Sequence, residues 1–281
     1  MLPDRVPAVV AVLGAPPYLP TQLGPRTTAW QGSAAAAVHR RADSPRKALQ
    51  EADALRRWGA AAHAPRLLHA DREHLWTAWC RGDAAGTESS SEVWATVGAA
   101  CAGLDRGPAP PDPLPLAAAL AQRAAAMADS PWAALLARRP WSAWARCPRW
   151  PQHRDLAPRN ILVDEQTIHV IDFEHARADA PGTDAVRLWL ELHLLMPFAA
   201  ADAAWLAWAQ GRARAGGPSL PPTARLLDLA SLQVVGTARW ADRHGDPAFG
   251  ARAARWRALL LDGAQPPTLA LPANMAPQAN A

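Results

Sequence analysis

The spacing of apolar residues changes character near residue 44. From 21 to 41, short apolar runs alternate with turn residues: Leu23-Gly24-Pro25-Arg26 has the make-up of a turn, and Val38 lies near the end of a small-residue run from Trp30 to Arg41. The pattern predicts strands, although the alanines also permit a helix by periodicity. A helix then opens at Ser44, a good N-cap, with Pro45 in the first helical position; Ala48, Ala52 and Leu55 share one face and Gly59 suits the end. Pro65 to Leu68 and Leu75 to Trp79 predict two more short strands, with Asp71-Arg72 as a turn. Residues 83–91 are small and polar, as in a linker, and 92–139 are helical apart from a proline-rich break at Gly107 to Pro115. Residues 161–163 and 168–172 are two apolar runs separated by Asp164-Glu165-Gln166-Thr167, a hairpin signature. Beyond Asp184 the stripes return to helical spacing, near 186–198, 201–210, 223–240 and 248–261; residues 263–281 carry prolines and no charge, and predict a frayed tail.

This order predicts an α+β fold in two lobes, a small strand-rich lobe over 1–82 and a larger mainly helical lobe over 83–262, followed by a tail over 263–281. No internal repeat is visible. No apolar run approaches the roughly 20 residues needed to cross a bilayer. The stretch from Val6 to Leu13 is interrupted by Pro7, and Asp4 partly cancels Arg5, so it makes a poor signal peptide. The expectation is a cytoplasmic protein with no membrane partner.

Composition narrows the classes. Half of the 281 residues are apolar and 19% are charged, enough for a sizeable core and unlike a collagenous, coiled-coil or disordered chain. The net charge is only +4, with no long basic run, so nucleic acid is not an expected partner. Cys80, Cys101 and Cys147 form neither a zinc pattern nor a disulfide framework. Most of the fourteen tryptophans sit at helical spacing, such as Trp205 with Trp208 and Trp141 with Trp144, and predict core packing rather than base stacking.

The chemistry concentrates in His153-Arg154-Asp155-Leu156-Ala157-Pro158-Arg159-Asn160, followed by Ile171-Asp172-Phe173-Glu174. Phosphoryl transfer needs a carboxylate to orient an attacking hydroxyl and oxygen ligands to hold Mg²⁺ on the phosphates. An Asp and an Asn five residues apart on one tight loop can face a common cavity, and a second Asp after a hairpin can return beside them. The pattern H-x-D-x4-N, a hairpin, then I-D-F resembles the protein-kinase-like fold, most closely the aminoglycoside phosphotransferase and choline kinase family. The resemblance implies an ATP- and Mg²⁺-dependent small-molecule kinase, with nucleotide bound in the first lobe. It implies Asp155 as catalytic base and Asn160 and Asp172 as metal ligands, with His153 packing the loop and Asp184 bracing it. Glu174 would assist the metal or the hydroxyl, and Arg159 could contact phosphate. Glu51 would be the helix glutamate, and Trp76 and Trp79, near the expected hinge, would neighbour adenine.

Two departures from the family pattern stand out. No G-x-G-x-x-G is present, only Gly24 and Gly32, and the strand lysine that holds phosphate is missing. The single lysine, Lys47, lies four residues before Glu51 on the same predicted helix, where the two could pair on the surface. The strand ends Val38-His39-Arg40-Arg41, which makes Arg40 or His39 the stand-in. These departures leave a catalytically silent nucleotide- or partner-binding protein as the alternative. From Ala185 onward nine arginines face six acids, a net +3, which favours a neutral or weakly anionic hydroxyl compound over a polycationic aminoglycoside as acceptor.

Overall fold

A computed structural model describes residues 2–58, 63–105, 114–165 and 167–268. Two compact units emerge: Met1–Ala85 together with Arg159–Arg177, and Gly86–Pro158 together with Ala178–Ala281. The first unit thus extends past the expected boundary at residue 82 and includes the hairpin expected in the second lobe. The hairpin joins the first unit because a strand beyond residue 82 pairs with it.

The first unit begins with helix α1 (Pro7–Leu13) and a five-stranded antiparallel sheet in the order β1-β2-β3-β5-β4. Its strands are β1 (Leu19–Gly24), β2 (Thr27–Gln31), β3 (Ala36–Arg41), β4 (Leu67–Ala70) and β5 (His74–Ala78). Strand, not helix, is thus the outcome for the alanine-rich run. Successive side chains of β3 point to opposite faces, which decides what each can do. One sheet face packs on α1, where Val6, Val9, Leu13, Ala37 and Trp76 form a buried cluster. Helix α2 (Pro45–Trp58) follows β3 as predicted, and Ser44 accepts a hydrogen bond from the Lys47 amide at 3.3 Å.

Strand β6 (Asp83–Ala84), inside the expected linker, pairs with β8 (Ile161–Asp164), which pairs with β9 (Thr167–Val170). The register Ile161↔Val170 to Asp164↔Thr167 closes the predicted hairpin, although Gln166 in its turn lies outside the described residues. A 3₁₀ turn, Phe173–His175, follows it and packs under α2: the Trp58 and Phe173 rings lie 5.3 Å apart, and Gln50 donates to the carbonyls of Glu174 and Ala176.

The second unit is mainly helical: α3 (Ser91–Asp105), α4 (Leu116–Ala125), α5 (Ala134–Ala137), α6 (Thr183–Leu195), α7 (Phe198–Arg214), α8 (Thr223–His244) and α9 (Pro247–Leu261). The short strands β7 (Trp150–Gln152) and β10 (Arg177–Asp179) pair with each other. Helices α3 and α7 cross closely at glycines. A Cβ on Gly98 would lie 1.9 Å from the Trp208 carbonyl oxygen, and one on Gly211 would lie 1.9 Å from that of Ala95. Trp94, Trp144, Trp189, Trp205, Trp208 and Trp256 are fully buried, so these tryptophans are core. Four of them satisfy their indole N–H inside the unit: Trp205 on the Ala185 carbonyl, Trp256 on that of Leu190, Trp144 on Asp228 and Trp189 on Asp202. No described helix is long and apolar enough to cross a membrane. The break at 107–113, the helix end at Gly59 and most of the expected tail (269–281) lie outside the described residues.

Candidate active site

In the first unit the chemistry centres on Arg40. Alternation along β3 turns Val38 and Arg40 to one face and His39 to the other. His39 lies against His74, ring nitrogens 3.0 Å apart, with its ring 4.6 Å from that of Trp76; burial lowers its pKa to about 4, so it is neutral at pH 7. It is therefore not the stand-in cation. Arg40 instead reaches Glu51 at 3.1 Å, Asp172 at 2.6 Å and Glu174. Glu51 shares the buried face of α2 with Ala48, Ala52 and Leu55, and only 6% of it is exposed. Burial pushes its carboxyl up to about 7, against the attraction of Arg40. The same carboxylates raise Arg40 above its ordinary value despite burial. Lys47 does not pair with Glu51. It points outward to Asp43 at 2.8 Å and stands 3.9 Å from Glu174, because Glu51 turns inward.

Asp172 follows β9 in the left-handed conformation, φ 67°, a backbone state that non-glycine residues adopt at a cost of order 1–3 kcal/mol and that recurs at functional sites. The Ile171 amide donates to the Asn160 carbonyl at 2.9 Å, tying together the two ends of the hairpin that carry Asn160 and Asp172. Glu174 is held down to about 2, first by a hydrogen bond with His175 and then by Arg40 and Lys47. Arg159 is exposed.

A cavity of about 480 Å³ in this unit joins the two kinds of surface. Val38, Leu55, Leu75, Trp79 and Leu162 supply an apolar slot; Arg40, Glu51, Asn160 and Asp172 supply a polar end. Trp79 lines the slot, 41% exposed, whereas Trp76 is fully buried against α1. The expectation for Trp76 thus fails, because the strand period sends it to the opposite face. Asn160 and Asp172 offer hard oxygen donors, the type Mg²⁺ prefers. Among the described residues no group of three or more His, Cys, Asp and Glu side chains could hold a metal ion. The donor set suits an ion that takes few protein ligands and completes its shell with water and phosphate.

The second unit carries the loop around Asp155. The Asp184 carboxylate accepts the backbone amides of His153 at 2.7 Å and Arg154 at 2.6 Å, and its own amide donates to Gln152 at 3.0 Å. His153 is 2% exposed, and its Nδ1 lies 3.3 Å from the Asp155 amide. Arg154 is left-handed, φ 68°, and its Nε contacts Asp179 at 2.7 Å. The buried Arg187 guanidinium contacts Asp155 and Glu191, each at 2.8 Å, and lies 5.0 Å over the Trp256 ring. Sequence reasoning missed Arg187, Glu191 and Gln152. Arg187 had a signal, lying one helical turn after Asp184 on α6; Glu191 and Gln152 show their roles only through tertiary contacts.

The model of the phosphotransferase enzyme family matches residues 26–227. The chain belongs to that family. Its fold is the kinase-like one of other phosphotransferases. The macrolide 2′-phosphotransferase MphH from Brachybacterium faecium is 19% identical, TM-score 0.58, with 90% of this chain and 97% of that one covered. The choline kinase LicA from Streptococcus pneumoniae is 12% identical, TM-score 0.65, covering 90% and 96%. A thermostable mutant of the aminoglycoside phosphotransferase APH(4)-Ia, solved with ADP and hygromycin B, is 15% identical, TM-score 0.61, covering 91% and 97%. No curated protein sequence matches the chain. Family membership makes the chain a phosphotransferase, and nothing in these similarities favours a silent member.

Proposed function

We propose that this phosphotransferase moves the γ-phosphoryl group of ATP, with Mg²⁺, onto a hydroxyl of a small molecule. One observation carries the reading: a single cavity in the first unit joins an apolar slot at Trp79 to Arg40, Asn160 and Asp172. An adenine ring matches the slot, and phosphates match the polar end. Arg40 takes the part of the missing strand lysine, and Glu51 holds it from the buried side. Asn160 and Asp172 would hold Mg²⁺, which when bound offsets charge on the phosphates.

Asp155 orients the acceptor hydroxyl and accepts its proton; Arg187 fixes the carboxylate, and Asp184 with His153 fixes the backbone that carries it. Neighbouring structures bear the names of macrolide, choline and aminoglycoside phosphotransferases, so the fold accommodates acceptors of very different size. For this chain the net +3 of the segment from Ala185 onward supports a neutral or weakly anionic hydroxyl compound.

The test is a screen of ATP consumption over hydroxylated small molecules, aminoglycosides included. An acceptor that turns over with wild-type protein, fails with Asp155→Asn, and leaves ATP binding intact in that variant supports the reading. Equal turnover by Asp155→Asn would remove Asp155 from the reaction.

A further inference from the structure

A strand lysine offers one ammonium; Arg40 offers a planar fork, and the structure uses both of its arms. Nη1 is shared between Glu51 at 3.1 Å and Asp172 at 2.6 Å, while Nη2 binds Glu174. Two of these three carboxylates belong to the segment that follows β9, and one of them, Asp172, is the ligand assigned to the metal. A protein cation therefore sits on a residue assigned to the metal. Lys47 adds a second, weaker positive charge 3.9 Å from Glu174.

We infer that Arg40 is a resident cation of the metal loop, which holds Asp172 and Glu174 while nucleotide is absent and turns to the phosphates when nucleotide arrives. The inference rests on the proposed nucleotide and metal roles. Its physics is charge placement. A divalent ion approaching Asp172 must share the carboxylate with a guanidinium hydrogen-bonded to it, so the ion alone binds weakly. Bound triphosphate supplies new acceptors for Arg40, draws the guanidinium off and brings its own oxygens to the ion. Arg40 thereby makes metal loading conditional on nucleotide.

The prediction has opposite signs for the two ligands. Removing the charge with Arg40→Gln should tighten Mn²⁺ binding to nucleotide-free protein about tenfold, the order expected for one charge a few ångströms from a divalent ion at the protein surface. The same variant should weaken Mn²⁺–AMP-PNP binding about tenfold, for want of a phosphate contact. Free Mn²⁺ is read by its paramagnetic resonance signal, and nucleotide by calorimetry. Because Arg40→Gln leaves Glu51 buried without its cation, the double variant Arg40→Gln/Glu51→Gln is measured alongside and should show the same two signs. Asp172→Asn should abolish the nucleotide-free Mn²⁺ site in every background. Unchanged or weaker Mn²⁺ binding in both Arg40 variants, with wild-type Mn²⁺–AMP-PNP binding intact, overturns the inference and leaves the function standing. Failure of the wild-type protein to bind Mn²⁺–AMP-PNP overturns the function and the inference with it.

Discussion

Asp184 offers a sharp test of how the second unit holds its loop. Its carboxylate accepts two backbone amides, from His153 at 2.7 Å and Arg154 at 2.6 Å, at the point where Arg154 takes its left-handed conformation. Hydrogen bonds to a charged group contribute about 1.5–3 kcal/mol each. Asp184 is only partly buried, so water can replace some of that on removal. Asp184→Ala should therefore cost about 2–4 kcal/mol. Asp184→Asn keeps the size but loses the charge and turns an NH₂ toward one of the two amides, at about 1.5–3 kcal/mol. At the usual 2–4 °C per kcal/mol for a unit of this size, the alanine variant should melt roughly 5–15 °C lower. Urea unfolding followed by tryptophan fluorescence measures the cost, and turnover measured below the transition should fall as well, since Asp155 loses its support. A loss of stability below about 0.5 kcal/mol in both variants would show that these two bonds do not hold the loop.

Four further outcomes follow from particular contacts. Trp76→Ala should lower stability by about 3–5 kcal/mol, while Trp79→Ala should weaken ATP binding with little effect on unfolding; reversed effects would exchange their assignments. Burial raises Glu51 to about 7, so the folded state holds its proton more tightly than the unfolded chain. Its contribution is complete below about pH 4.5 and fades as pH rises through 7; Glu51→Gln should flatten that part of the stability profile, and an unchanged slope would contradict it. Glu174 has the opposite sign: it is lowered to about 2, so its contribution exists above about pH 4.5 and fades as pH falls toward 2. Glu174→Gln should remove that acid sensitivity in urea melts, and a profile matching wild type would refute it. Asp246 caps α9 through the amides of Ala248 and Phe249, and Asp246→Ala should cost about 1 kcal/mol in the same melts.

Much of the site was legible because its residues are close in sequence. The loop from His153 to Asn160, the hairpin and Asp172 stand out because their spacing resembles that of the kinase family's motifs. Helix α2 was equally plain, since Ser44, Pro45 and one apolar face agree. Helix α1 was not: seven residues with a leading proline give too short a pattern, and α1 is defined by packing on Trp76. Strand β6 has two polar or small residues and exists only through β8. Two of the three carboxylates that Arg40 grips, Asp172 and Glu174, lie more than a hundred residues from it, which no local pattern encodes. Alternation on β3 would have separated His39 from Arg40 had the register been known, whereas Trp76 lies within β5 and Trp79 just beyond its end. Arg187 lies one turn after Asp184, but an arginine there also matches a solvated helix face, and only its 4% exposure shows that it turns inward.

The central claim is that Asp172 makes nucleotide binding depend on a divalent ion. Calorimetric titration of AMP-PNP into wild-type protein and Asp172→Asn, each with Mg²⁺ and with EDTA, tests it most directly. The account predicts binding by wild type that strengthens at least about tenfold with Mg²⁺, and a variant in which Mg²⁺ makes no difference. Equal Mg²⁺ enhancement in both proteins would contradict it.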